Sequence, residues 1–213
     1  IVSFPSVESF QSRDLCQLDG LQCATPCTIS PSGTWANVTG DDLDWTVDEG
    51  GTPTDLTGPA VDATQGNLTG RYAYTESSCP DIGHSDKVAI LYSRCFNFSN
   101  IIAPELSYAY HMFGEETGNI QVEVSTNSCV SWSPIDILDG PQQDSSDAQW
   151  KTRLVNMVQF SGAPNVRIRL VGTTGRDQFS DMAIDDITVQ EAPANDLALT
   201  EILTPVSKCG LGE

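Results

Sequence analysis

With 29 Asp and Glu against 10 Lys and Arg in 213 residues, the chain carries a formal net charge of -19, which repels nucleic-acid phosphates and anionic lipid surfaces and argues against both as partners. The length suffices for one large domain with a packed core, and no stretch of about 18 apolar residues is present to insert into a membrane. Seven cysteines (Cys16, Cys23, Cys27, Cys79, Cys95, Cys129 and Cys209) are many for a reducing compartment and form no paired CxxC knuckles, so the sequence predicts a secreted or cell-surface chain with disulfides.

The opening residues, Ile1-Val2-Ser3-Phe4-Pro5, show no basic segment followed by an apolar one, so any export signal is expected to be removed or to lie outside this stretch. Glu8-Ser9-Phe10 belongs to a first strand. From there, short runs of alternating apolar and polar residues are separated by Gly, Pro, Asn and Asp clusters, the mark of antiparallel strands. The clearest cover 71–76, 88–92, 105–113, 120–126, 151–159, 165–172 and 182–190. Roughly ten strands with long loops predict an all-β chain, a two-sheet antiparallel β-sandwich of the jelly-roll kind, because stacking two sheets buries the alternating faces. The domain is expected over 1–191. Residues 192–213, entered through Pro193, Asn195 and Asp196, read as a linker followed by a tail or the start of a truncated neighbour. There Cys209 would pair beyond the stretch.

The order Asp42-Leu43-Asp44-Trp45, Thr57-Gly58-Pro59, Asp62-Ala63-Thr64 and Gly70-Arg71-Tyr72-Ala73-Tyr74 with Glu76-Ser77 resembles the first half of a MAM domain. The second half follows: Ala89-Ile90-Leu91-Tyr92-Ser93, Cys95-Phe96-Asn97-Phe98, Tyr110-His111-Met112-Phe113-Gly114, Trp132, Trp150 and Asp181-Met182-Ala183-Ile184-Asp185-Asp186-Ile187. The resemblance implies a jelly roll without catalytic activity, an adhesion or recognition module of secreted or cell-surface proteins. It departs from the family in the insert 16–27, in the loop 80–86 and in the missing cysteine at Glu191.

Several residues are candidates for a site. Asp185 and Asp186 interrupt an apolar closing strand, and strand alternation sends one of them inward. A buried carboxylate needs a partner, and Lys and Arg are scarce. A structural Ca2+ held by Glu8, Asp44, Asp62, Glu76, Asp185 and Asp186 is expected, since calcium takes oxygen ligands from separate segments. The alternative is that Asp185 or Asp186 accepts backbone N–H groups or pairs with Arg71. Cys79 and Cys95 flank a loop between neighbouring strands and are expected to be joined, which would stabilise the fold by about 3 kcal/mol. Cys16, Cys23, Cys27 and Cys129 are left with three possible pairings.

The two histidines, His84 and His111, and the absence of HExxH, GxSxG or a P-loop leave no catalytic set. The resemblance implies that Trp45, Trp132 and Trp150 pack in the core, which leaves Trp35 as the best exposed candidate for a ligand platform, the alternative being that it covers a loop. The partner is an extracellular protein or, if the chain is a carbohydrate-binding module appended to a secreted hydrolase, a polysaccharide.

Overall fold

A computed structural model describes residues 2–16, 29, 33–79 and 82–193. Cys23, Cys27, Cys209 and the expected linker from residue 194 onward lie outside them. Among the described residues the chain is all-β: β1 (Ser6–Glu8), β2 (Trp35–Asn37), β3 (Trp45–Glu49), β4 (Arg71–Thr75), β5 (Val88–Ser93), β6 (Pro104–His111), β7 (Asn119–Ser125), β8 (Ser133–Asp139), β9 (Lys151–Asn156), β10 (Arg167–Thr173) and β11 (Ala183–Glu191). One turn of 3-10 helix at Val158–Phe160 ends β9 earlier than its alternation predicts. The expected strand leading to Trp132 stops at Ser125, and Trp132 instead sits in the turn before β8.

The strands form two antiparallel sheets. One runs β3-β4-β11-β6-β9, with β1 also on β11; the other runs β2-β5-β10-β7-β8. First and last strands adjoin as expected, Glu8 facing Ile187. In β5 and β7 buried and half-exposed residues alternate, so Leu91, Ile120 and Val122 enter the core while Tyr92, Gln121 and Glu123 face outward. Inward residues of both sheets, among them Trp45, Tyr108, Leu106, Leu91, Phe96 and Ile168, make one continuous core.

Two backbone features position the polar groups. A register shift between Asp185 and Thr188 places a β-bulge in β11, with Asp186 at φ 48°; the extra residue re-aims the side chains around it. Between the sheets, a Cβ on Gly172 would lie 2.9 Å from the Trp45 ring, so this glycine lets the indole of β3 lie flat against β10. The indole N–H then donates to Ala89 O at 3.1 Å.

Candidate recognition face and carboxylate sites

The six carboxylates expected to share one ion are not gathered in one place. Asp62, Asp185 and Asp186 meet around the loop that follows β3. Asp185 Oδ2 accepts from Ala63 N (3.1 Å), Thr64 N (3.2 Å) and Thr64 Oγ1 (3.1 Å), and its Oδ1 accepts from Asp186 N at 2.8 Å. Thr64 Oγ1 also lies 2.8 Å from Asp186 Oδ1. Asp62 accepts from Gln11 Nε2 (2.9 Å), Gln65 N (2.9 Å) and Asn67 N (3.2 Å). Backbone and amide N–H groups thus surround Asp62 and Asp185, which is the alternative weighed for Asp185, whereas the Asp186 carboxylate accepts from the Thr64 hydroxyl. Burial, followed by the neighbouring charge of Asp186, pushes the Asp185 carboxyl up to about 7.

Glu8 stands apart. Its Oε1 accepts from Phe10 N at 3.0 Å, and its Oε2 pairs with the Arg13 guanidinium. Asp44 is half-buried on another segment, and burial, then the charge of Asp41, raises its carboxyl above the usual range.

Glu76 has a partner that the sequence reading missed, Asp181. Both are buried, Asp181 completely. Asp181 Oδ1 accepts from Ser77 N (2.9 Å) and Ser77 Oγ (2.7 Å), whereas its Oδ2 is buried with only the Thr52 hydroxyl near the carboxyl, a group that already donates to Thr57 O. Glu76 accepts from Ser78 N at 2.8 Å, from the Ser78 hydroxyl and from Tyr74 OH at 3.0 Å. Burial and then the Glu76 charge push the Asp181 carboxyl up to about 8. The ion pairs among the described residues involve Glu8, Glu49, Glu123 and Asp136, so none relieves this pair. Asp181 belonged to the recognised Asp181-Met182-Ala183 segment; the detectable signal was an acid directly before an apolar strand in a chain poor in cations. Among the described residues no three His, Cys, Asp or Glu side chains gather to hold a metal ion by themselves. An ion at Glu76 and Asp181 would therefore need further oxygens from backbone or water.

Trp45 lies in the core as expected, but Trp35 and Trp132 exchange their expected places. Trp35 is wholly buried in the core, on β2, whose three residues are all buried beside β5. Trp132, expected inside, is half-buried at the surface, where the Arg169 guanidinium lies 4.4 Å from its ring centroid. Arg169 also pairs with Glu123. One step along β10, Arg167 lies 5.6 Å from the Tyr92 centroid. Tyr92, Glu123, Trp132, Arg167 and Arg169 thus make a cation–aromatic strip on the outer face of the five-stranded sheet. Beside it opens a cleft of about 580 Å³ lined by Val2, Ser3, Thr34, Arg94, Cys95 and Arg167. Trp150 is also half-buried; its Nε1 donates to Val61 O at 2.8 Å and its edge meets Tyr72.

The expected bridge between Cys79 and Cys95 does not form: Cys95 is free, as is Cys129, and Cys79 and Cys16 are disulfide-bonded to other cysteines. Cys95 instead faces β10, accepting from Arg167 Nε at 3.2 Å. His111 is fully buried against Trp150, and burial pushes its imidazole down to about 4, so it is neutral at physiological pH. His84 Nδ1 lies 2.7 Å from Ser77 O.

A two-sheet jelly roll with an open cation–aromatic face, and with both histidines taken up in packing and backbone contacts, is the build of a recognition module. The chain belongs to the MAM domain family (meprin/A5/mu), which matches residues 10–195. Thyroid hormone-induced protein B of Xenopus laevis is 28% identical over 158 residues, 71% of this chain and 20% of that protein. The chain therefore spans about a fifth of that relative's length. Among solved structures, the K1 cleaved adhesin domain of Lys-gingipain from Porphyromonas gingivalis W83 superposes with a TM-score of 0.55 at 12% identity, covering 88% of this chain and 98% of that domain. The K3 adhesin domain of the same protein superposes with a TM-score of 0.50, also at 12% identity, covering 87% and 96%. These two likenesses concern the fold. Among the described residues no helix is long and apolar enough to cross a membrane.

Proposed function

We propose that the chain is a non-catalytic recognition module of a secreted or cell-surface protein, and that it holds an extracellular protein partner on the outer face of the β2-β5-β10-β7-β8 sheet. The observation that carries this is the strip in which Arg167 covers Tyr92 and Arg169 covers Trp132. Trp, Tyr and Arg are the residues that dominate binding energy when a partner excludes water from them. Here they are ordered in advance by the sheet and by the Glu123 pairing, so little side-chain freedom is lost on binding. The same geometry favours protein over polysaccharide, since each ring already has a guanidinium against it and offers less open surface to a pyranose. The adhesin domains that share the fold support the reading. The test is a binding screen of extracellular proteins against wild type and the Tyr92→Ala/Trp132→Ala double variant, run beside a glycan array. Protein binding lost in the variant supports the proposal; glycan binding lost in the variant would replace it with the carbohydrate-binding reading.

A structural Ca2+ belongs to the same proposal, with Glu76 and Asp181 as its carboxylates. What supports it is a pair of desolvated acids, one with a buried oxygen that no backbone N–H reaches, and no Lys or Arg pairing with either among the described residues. When bound, such an ion supplies positive charge and oxygen coordination. The N–H donors around Asp62 and Asp185 make that cluster the poorer host.

A further inference from the structure

We propose that Cys95 and Cys129 form a disulfide that closes the turn after β7 onto the end of β5. Strand β10 lies between these two strands, and the two cysteines approach its first residue from opposite sides. On one side the bridge between Phe96 and Val166 sets Cys95 beside Arg167, whose Nε donates to Cys95 Sγ at 3.2 Å. On the other side Arg167 is paired with Ser125. The turn beyond Ser125 folds back on it, Cys129 N donating to Ser125 Oγ at 3.0 Å. Cys95 first, and Cys129 with it, hold the Arg167 guanidinium above its usual range, as expected if both side chains lie near it. Both thiols are free and only half-buried, and they flank the Arg167 end of β10 from its two sides.

The chemistry balances with a small-molecule disulfide as oxidant. One cysteine, as its thiolate, attacks oxidised glutathione, forming a mixed disulfide and releasing one glutathione thiolate. The second cysteine, having lost its proton to solvent, attacks the protein sulfur of that mixed disulfide and expels a second glutathione. Two protein thiols are oxidised by two electrons, and one disulfide is reduced to two thiols. Closure needs the Arg167 side chain to swing away and the turn carrying Cys129 to move toward the end of β5, because a disulfide holds its Cα atoms within about 7 Å; the β5-β10-β7 pairing lies outside that turn. An extracytoplasmic setting supplies the redox poise that keeps such a bond. Closure would uncover the Tyr92 end of the strip, because Arg167 lies over that ring; the disulfide itself is read without any partner present.

The folded chain is incubated with oxidised glutathione, blocked with iodoacetamide under denaturing, non-reducing conditions and mapped by mass spectrometry. Residues 95–150 contain no Lys or Arg, so trypsin leaves both cysteines on one peptide, whereas cleavage after Glu105, Glu115, Glu116 or Glu123 separates them. The expected result is a linked pair of peptides, one with Cys95 and one with Cys129, and two fewer thiols available for alkylation. Cys129→Ser is expected to leave Cys95 as a glutathione adduct. The proposal is overturned if each wild-type cysteine carries its own glutathione or acetamide group, or if Cys95 is linked to another cysteine in either protein.

Discussion

Asp181 is fully buried beside Glu76, and burial first, then the Glu76 charge, raises its carboxyl. An aspartate that ionises near 3.8 in the unfolded chain stays protonated up to about 8 in the fold, so between those values the native state holds more protons than the unfolded one. The sign follows: without bound metal, this contribution to stability is complete below about pH 4 and is lost as pH rises through 8. Asp185, raised to about 7, and Asp48, raised to about 6, act in the same direction. In chelator, the melting temperature is therefore expected to fall from pH 5 to pH 9, and Asp181→Asn should flatten most of that fall in a calorimetric series. Trp35→Ala should cost about 3–5 kcal/mol in denaturant unfolding, as expected for emptying a buried aromatic site, and that cost would confirm it as core rather than platform.

At the scale of elements, strand alternation set which face of β5, β7 and β10 is buried, and the packing between sheets set how closely they approach. Gly172→Ala places a methyl group 2.9 Å from the Trp45 ring, tighter than van der Waals contact. Either the indole shifts, losing its hydrogen bond to Ala89, or β10 moves outward. A loss of about 1–3 kcal/mol is expected from equilibrium unfolding. The bulge at Asp185 and Asp186 is the element-level device that puts both acids against the 62–67 loop. No feature of the local sequence marks it, because the extra residue is defined only against the partner strand β6.

For the whole molecule, calcium and partner binding are separable readouts. Calcium requires ionised carboxylates, so the rise in melting temperature on adding it should be larger at pH 8 than at pH 5. With the ion at Glu76 and Asp181, Asp181→Asn should abolish that rise while Asp185→Asn preserves it; the reverse result would move the ion to the Asp62 loop. On the opposite sheet, Trp132→Ala or Arg169→Ala should weaken the protein partner by at least about tenfold with little change in melting temperature, as read by biolayer interferometry and thermal unfolding.

The all-β class, most strand positions and family membership could be read from the residues, because period-two alternation and turn chemistry are local and the motif segments keep their order. The grouping of the acids was not legible: Glu8 went to Arg13, Glu76 to Asp181, Asp62 and Asp185 to backbone N–H donors, and Asp186 to the Thr64 hydroxyl. The same division explains the tryptophans and cysteines. Whether a side chain at a strand's end is buried depends on which strand lies beside it, and which thiols meet depends on the sheet order β5-β10-β7. Both are relations between segments far apart in the chain, so only the tertiary structure could decide them.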